Sequence, residues 1–268
     1  MANIWEGVMP AATTKFNADF SIDSAWTKKN IEAQIAAGVD GIIVCGSLGE
    51  TSTLSLDEKL DVLDIAVDAA QGRVPVLLTI AENSTLDGYR QAELGVKHSA
   101  AGYMVLLGLR YLSDRRETLN HFRVVASASP LPIMVYNNPL AYGVDVTPEM
   151  FAELADEKKL GTIKESAGDV RRFTDLINAV GDRYALFCGV DNLAMEACLM
   201  GAHGWFAPLL ALDISAKLVQ NIKLAEAMVG LGTEPVRPPR LPLAGDERLA
   251  VEALIKRSIE IRPVLPTF

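Results

Sequence analysis

The sequence predicts a closed α/β barrel of parallel strands covered by helices, and three observations carry that prediction. Apolar strand-like runs alternate with helix-periodic runs along most of the chain. The strand runs are apolar almost throughout, as strands buried on both faces are. Polar residues gather at the C-terminal ends of many different strands, where a barrel assembles its site. They include Thr13-Thr14, Ser47 and Glu50, Glu82-Asn83, Tyr136-Asn137-Asn138, Lys164-Glu165-Ser166 and Asp191-Asn192. An open doubly wound sheet should instead show a Gly-rich phosphate loop after its first strand, and Pro10 to Thr14 is not one.

In chain order, Gly7 to Thr14 reads as an opening strand that ends in small and hydroxyl residues. Asp23 to Ala37 carries apolar residues at helical spacing and is closed by Gly38. Strands follow at Gly41 to Cys45, Val74 to Ile80, Gly102 to Leu107, Leu131 to Tyr136, Gly161 to Lys164 and Tyr184 to Gly189. Helices are expected at Thr85 to Ser99, Asp114 to Ala128, Thr147 to Ala155, Val170 to Val180 and Asn192 to Met200. The sequence thus reads as seven strand-helix units. Ala202 to Phe206 begins an eighth strand, but Ala207-Pro208-Leu209-Leu210 follows without a covering helix. A helix at Ser215 to Val229, a proline-stiffened link at Val236 to Pro242 and a helix at Asp246 to Ile261 end the chain. The expected organisation is a barrel over 1–206, its eighth βα unit incomplete, with a C-terminal helical region over 207–268.

Composition narrows the class. At 268 residues, half of them hydrophobic, the chain can bury one large core of barrel size. A formal net charge of −9 disfavours nucleic acid and anionic membrane as partners. The N-terminus has neither a basic region nor an apolar run, and no apolar run reaches membrane-spanning length, so a cytoplasmic location is expected. Cys45, Cys188 and Cys198 sit in apolar contexts that suit reduced, buried thiols. His98, His121 and His203 lack metal-ligand spacing with one another or with any Cys or carboxylate, and no metal is expected.

Three segments carry chemistry. Leu160 to Lys164 is a buried strand that ends in a lysine, followed by Glu165-Ser166-Ala167-Gly168. Such a lysine either snorkels from the strand end or has a job. Desolvation favours the neutral amine, which attacks carbonyls and forms imines. Tyr136, in Tyr136-Asn137-Asn138-Pro139, either caps its strand against solvent or points across the barrel mouth and shuttles protons. Gly46-Ser47-Leu48-Gly49-Glu50 is either an ordinary turn or a set of exposed amides and a hydroxyl suited to a carboxylate. Glu50 itself reads as a structural acceptor for loop amides rather than as an acid catalyst.

Together the GxxGE turn, the YNxP segment and the IKES strand resemble the Schiff-base aldolase/lyase family of dihydrodipicolinate synthase and N-acetylneuraminate lyase. The resemblance runs from about Trp5 to Gly204 and resumes from Leu218 to Pro263. It implies that Lys164 forms an imine with a 2-keto acid or cyclic imine, that Tyr136 relays protons, and that Ser47 with neighbouring amides holds the substrate carboxylate. Leu48, Thr13 and Gly189 complete the candidate substrate-binding set. No cofactor is implied, because the lysine imine is itself the electron sink. The family also implies a homo-oligomer, a dimer of dimers, in which Tyr111 stands near the place of a tyrosine donated across a tight dimer interface.

Two departures bear on substrate. Dihydrodipicolinate synthases carry a second threonine in the turn, where this chain has Leu48, and an arginine after the YNxP proline, where Leu140-Ala141-Tyr142-Gly143 has none. The GSLGE turn with YNNP and a following Ala-Tyr instead resembles the branch acting on Δ1-pyrroline-4-hydroxy-2-carboxylate, which yields 2,5-dioxopentanoate and ammonia. A sugar-acid dehydratase or a 2-keto-acid aldolase is the alternative on the same imine. Relative to these look-alikes, roughly thirty to forty residues are missing near Trp205-Phe206, where the eighth βα unit should finish. A segment omitted from the sequence, closure by another route, and a truncated, non-catalytic relative are the three explanations.

Overall fold

The computed structural model describes residues 5–108, 112–206 and 215–261. Within them eight parallel strands form: β1 (Gly7–Val8), β2 (Ile42–Val44), β3 (Val76–Ile80), β4 (Gly102–Val105), β5 (Ile133–Asn137), β6 (Leu160–Glu165), β7 (Ala185–Cys188) and β8 (Gly204–Trp205). The ladder runs β1-β8-β7-β6-β5-β4-β3-β2. The two ends meet through the chain after β1: Ala11 bridges Ile43 in parallel, and Ala12 N–H donates to the Ile43 carbonyl at 2.8 Å. The ring is a (β/α)8 barrel, as expected.

Three expectations change in detail. The opening strand is far shorter than Gly7 to Thr14, because Pro10 has no N–H to give a ladder and the chain beyond it pairs only through the Ala11–Ile43 bridge and the Ala12 N–H. The eighth strand is present and paired on both sides, with β7 and with β1. Phe206 extends it, its N–H donating to the Cys188 carbonyl at 3.0 Å and its ring packing edge-on against Phe187. The next described helix begins only at Leu218. Cys45 and Cys188 are buried, whereas Cys198 is exposed, since its short helix buries only Ala197.

The helices are α1 (Ser24–Ala36), α2 (Leu56–Ala70), α3 (Thr85–Lys97), α4 (Arg115–Ser127), α5 (Pro139–Tyr142), α6 (Pro148–Glu153), α7 (Arg171–Val180), α8 (Ala194–Leu199), α9 (Leu218–Met228) and α10 (Gly245–Glu260). Periodicity alone did not single out α2. Its signature is the capping box at Ser55 and Glu58, each side chain accepting the other's backbone N–H. Asp114 and Glu117 start α4 in the same way, and each such cap contributes about 1 kcal/mol.

Side chains alternate across each strand, so the barrel has two apolar layers. Met9, Ile43, Leu77, Met104, Met134, Phe187 and Phe206 fill the interior, while Val44, Leu78, Val105, Val135, Ile163 and Leu186 meet the helices outside. A third cluster joins α9, α10 and the link to Leu48 at the barrel mouth, through Val219, Ile222, Leu224, Val236, Leu243 and Ile255. Burying each of these aliphatic side chains contributes roughly 1.5–3 kcal/mol. Among the described residues no helix is long and apolar enough to cross a membrane.

Candidate active site

β5 and β6 pair with Tyr136 opposite Lys164. Both continue the inward-facing rows, Tyr136 after Met134 and Lys164 after Thr162, and so meet at the mouth. Lys164 is 7% exposed, with its Nζ 4.0 Å from the centre of the Tyr136 ring and 4.3 Å from that of Phe206. Two aromatic faces suit an ammonium, and the amine lies over the ring of the Tyr136 phenol. The Tyr136 hydroxyl accepts from the Asn138 amide at 3.0 Å, which fixes its direction.

Ser47, Leu48, Tyr136, Lys164 and Gly189 line one cavity of about 70 Å³, together with Ala11, Gly46, Met104, Phe206 and Leu218. Gly189 is there because nothing larger fits: a Cβ would stand 2.0 Å from Ser166 Oγ and 2.7 Å from Lys164 Cε. Ser166 Oγ is buried and without a hydrogen-bond partner. Thr13 does not enter this cavity. Its hydroxyl donates to Glu226 of α9 at 2.8 Å and accepts from Lys15, so Thr13 belongs to a buried polar cluster beside the mouth. Tyr111 lies outside the described residues.

Tyr142, read in the sequence only as part of the segment after YNNP, stands beside this cavity. Tyr142 ends α5, and its hydroxyl is hydrogen-bonded to Ser47 Oγ. Its ring packs edge-on against Tyr136, with centroids 6.0 Å apart. Burial pushes the Tyr142 phenol up to about 12, with Tyr136 adding to the shift and Ser47 opposing it. The only sequence signal was its place just after the YNNP segment. Beyond Ser47 and Tyr142 opens a second cavity of about 540 Å³, lined also by Lys59, Glu82, Asn83 and Arg240.

The Ser47–Leu48 turn is held from the far end of the chain. Glu50 is fully buried and ion-pairs with Lys223 of α9, while the Arg237 N–H donates to its second oxygen at 3.1 Å and Arg240 lies 3.7 Å away. Glu50 is thus a structural acceptor, for C-terminal groups rather than for the amides of its own loop. Burial pushes the Lys223 ammonium down to about 8, with Glu50 pulling the other way. The histidines stay apart: burial pushes His121 down to about 4, His98 pairs with Asp64, and His203 accepts from the Leu186 N–H. No group of three or more metal-capable side chains occurs among the described residues.

With this geometry in hand, comparison with known proteins is informative. Residues 5–208 match the model of the dihydrodipicolinate synthetase family. The 4-hydroxy-tetrahydrodipicolinate synthase of Salinibacter ruber is 32% identical over 202 residues, covering 75% of this chain and 67% of that one. That of Methanococcoides burtonii is 28% identical over 287 residues, covering 94% of this chain and 98% of the relative. Those 287 positions exceed the 268 residues of this chain, so part of the relative has no counterpart here. The family match itself ends two residues past Phe206. A dihydrodipicolinate synthase structure from Bacillus anthracis superposes with a TM-score of 0.90 at 25% identity, over 95% of this chain and 98% of that one. This chain belongs to the dihydrodipicolinate synthetase family, a family of Schiff-base aldolases and lyases.

Proposed function

We propose that this protein is a Schiff-base lyase in which Lys164 attacks the C=N carbon of Δ1-pyrroline-4-hydroxy-2-carboxylate, with Tyr136 moving the protons. The observation that carries the reading is the enclosed Lys164–Tyr136 pair beside Ser47 and the apolar Leu48. In this reading the Ser47 hydroxyl and the amides of its turn hold the single carboxylate. Leu48, Met104 and Phe206 leave little for further charged groups to bind.

The chemistry balances. Addition of the Lys164 amine to the ring C=N and expulsion of the ring nitrogen give a lysine imine, which acidifies the adjacent carbon. Loss of that proton and of the 4-hydroxyl releases one water and leaves an allylic amine, whose double bond moves by proton shifts to the amine-bearing carbon and gives a terminal imine. Hydrolysis of the lysine imine and of the terminal imine consumes two waters and releases 2,5-dioxopentanoate and ammonia. The sugar-acid dehydratase and 2-keto-acid aldolase readings use the same imine. The names of the relatives favour a second reading, 4-hydroxy-tetrahydrodipicolinate synthesis, against which Leu48 and the Leu140–Gly143 segment argue. We include in the proposal a homo-oligomeric assembly.

Incubating the protein with the pyrroline, and separately with pyruvate and aspartate semialdehyde, tests the assignment. Ammonia release from the pyrroline alone is expected. Condensation of the second pair, with no ammonia from the first, would overturn the deaminase reading in favour of the synthase. Inactivity towards both, by folded protein, would favour the non-catalytic relative.

A further inference from the structure

Behind Tyr136 and Lys164, on the outward face of the same two strands, stands a second matched pair. The β5–β6 register that sets Tyr136 opposite Lys164 also sets Asn137 opposite Glu165. These two follow the outward row of Val135 and Ile163, where apolar residues meet the helices. They are 1% and 2% exposed. The Asn137 amide donates to both Glu165 oxygens, at 3.3 and 3.0 Å, and to Asp145 Oδ1 at 3.0 Å. Asn137 Oδ1 accepts from the Val146 N–H at 2.9 Å, and Glu165 Oε1 accepts from the Ala167 N–H at 2.6 Å. Arg172 of α7 ties down the outer oxygen of Asp145 at 2.7 Å.

A buried carboxylate in an otherwise apolar row costs folding energy, and a hydrophobic residue would pack there more cheaply. What the pair adds is rigidity across the tips of β5 and β6, one residue beyond the two reacting groups. We infer that Asn137 and Glu165 are positioning residues, a hydrogen-bonded clamp that fixes the Tyr136 phenol relative to the Lys164 amine. The inference rests on the imine reading for its effect on turnover, but not for its effect on the amine itself.

Glu165 gives the clamp a pH signature. Burial pushes its carboxyl up to about 7, against the bonds from Asn137 and Ala167 and the charge of Arg172, with Asp145 adding to the rise. The ionised form accepts from Asn137 with both oxygens, so protonation weakens the clamp as pH falls below about 7. Replacing Asn137 with aspartate reverses this, because two facing carboxyls bond only when they share a proton.

The test compares wild type with N137A, N137D and E165Q, each checked for a cooperative thermal transition. Two readouts are used: cyanate labelling of Lys164 followed by mass spectrometry, with Lys97 as internal reference, and turnover. In N137A the clamp predicts about a tenfold change in the Lys164 labelling rate, with Lys97 unmoved, and about a hundredfold fall in kcat with little change in KM. N137D turns over faster as pH is lowered, opposite to wild type, and E165Q loses the limb near pH 7. Unchanged Lys164 labelling in both Asn137 variants would overturn the clamp. Should wild type form no imine while N137A still shifts Lys164 labelling, the imine reading falls and the clamp stands.

Discussion

Tyr136 and Lys164 stand on neighbouring strands in register, whereas Ser47 and Leu48 ride on a turn whose anchoring lysine comes 173 residues after Glu50 in the chain. The first half of the cavity follows from local rules. Inward alternation along β5 and β6 sends both side chains to the mouth, and a one-residue slip would turn them into the helix layer. The second half depends on burying charge. Lys223 is pushed down to about 8, so it holds its proton less tightly in the folded state than in the unfolded chain. Its contribution to stability therefore grows as pH climbs from about 8 towards the ordinary 10.5, the reverse of a net-stabilising ion pair. The Glu50–Lys223 pair is better explained by the place it gives the turn than by stability.

The largest effect expected from breaking this comparison is on the strand half. Tyr136→Phe keeps the ring and removes the proton, so kcat should fall by about 10²–10⁴ while an adduct on Lys164 still forms. A fall in adduct formation equal to the fall in kcat would show that the phenol acts earlier than proposed. On the turn half, Lys223→Met leaves Glu50 buried without its main partner and should cost about 3–5 kcal/mol in urea unfolding. The loosened turn should also raise KM, and adding Glu50→Gln should recover much of the stability but leave KM raised, because the turn stays unanchored. Recovery of both would show that the pair has no positional role.

Smaller effects sharpen the same contrast. Tyr142→Phe removes one hydrogen bond to Ser47, worth about 1 kcal/mol, so KM should rise by about fivefold with kcat nearly unchanged. Arg237 holds the Glu58 carboxyl down at about 2, and such a group contributes stability above its ordinary pKa of 4.5 that is lost as pH falls towards 2. Arg237→Met should therefore move acid unfolding to slightly higher pH, the shift being small because the pair is partly exposed.

How much of this was legible follows the same divide. The barrel, and the placing of Lys164 and Tyr136 at neighbouring strand ends, could be read because strand pattern and short motifs are local. The turn's sequence was legible too, but Lys223, Arg237 and Arg240 were not, since no spacing rule links residues so far apart. Thr13 stands outside the cavity for the same reason: its hydroxyl is taken up by Glu226, a partner that only the fold brings near. Helix α2 left a readable signal in Ser55 and Glu58, which periodicity alone did not use. The eighth strand pairs with β7 and β1, and Phe206 gives it a last ladder bond and also supplies an aromatic face beside Lys164. A motif search has no way to register that.

Whether the Lys164 amine forms an imine is read by borohydride trapping. Wild type and Lys164→Ala would be incubated with pyruvate and, separately, with Δ1-pyrroline-4-hydroxy-2-carboxylate, reduced, digested and read by mass spectrometry. The account predicts a reduced adduct on the peptide carrying Lys164 in wild type and none in the variant. Folded wild type that yields no adduct with either compound, or an adduct that persists in Lys164→Ala, would contradict it.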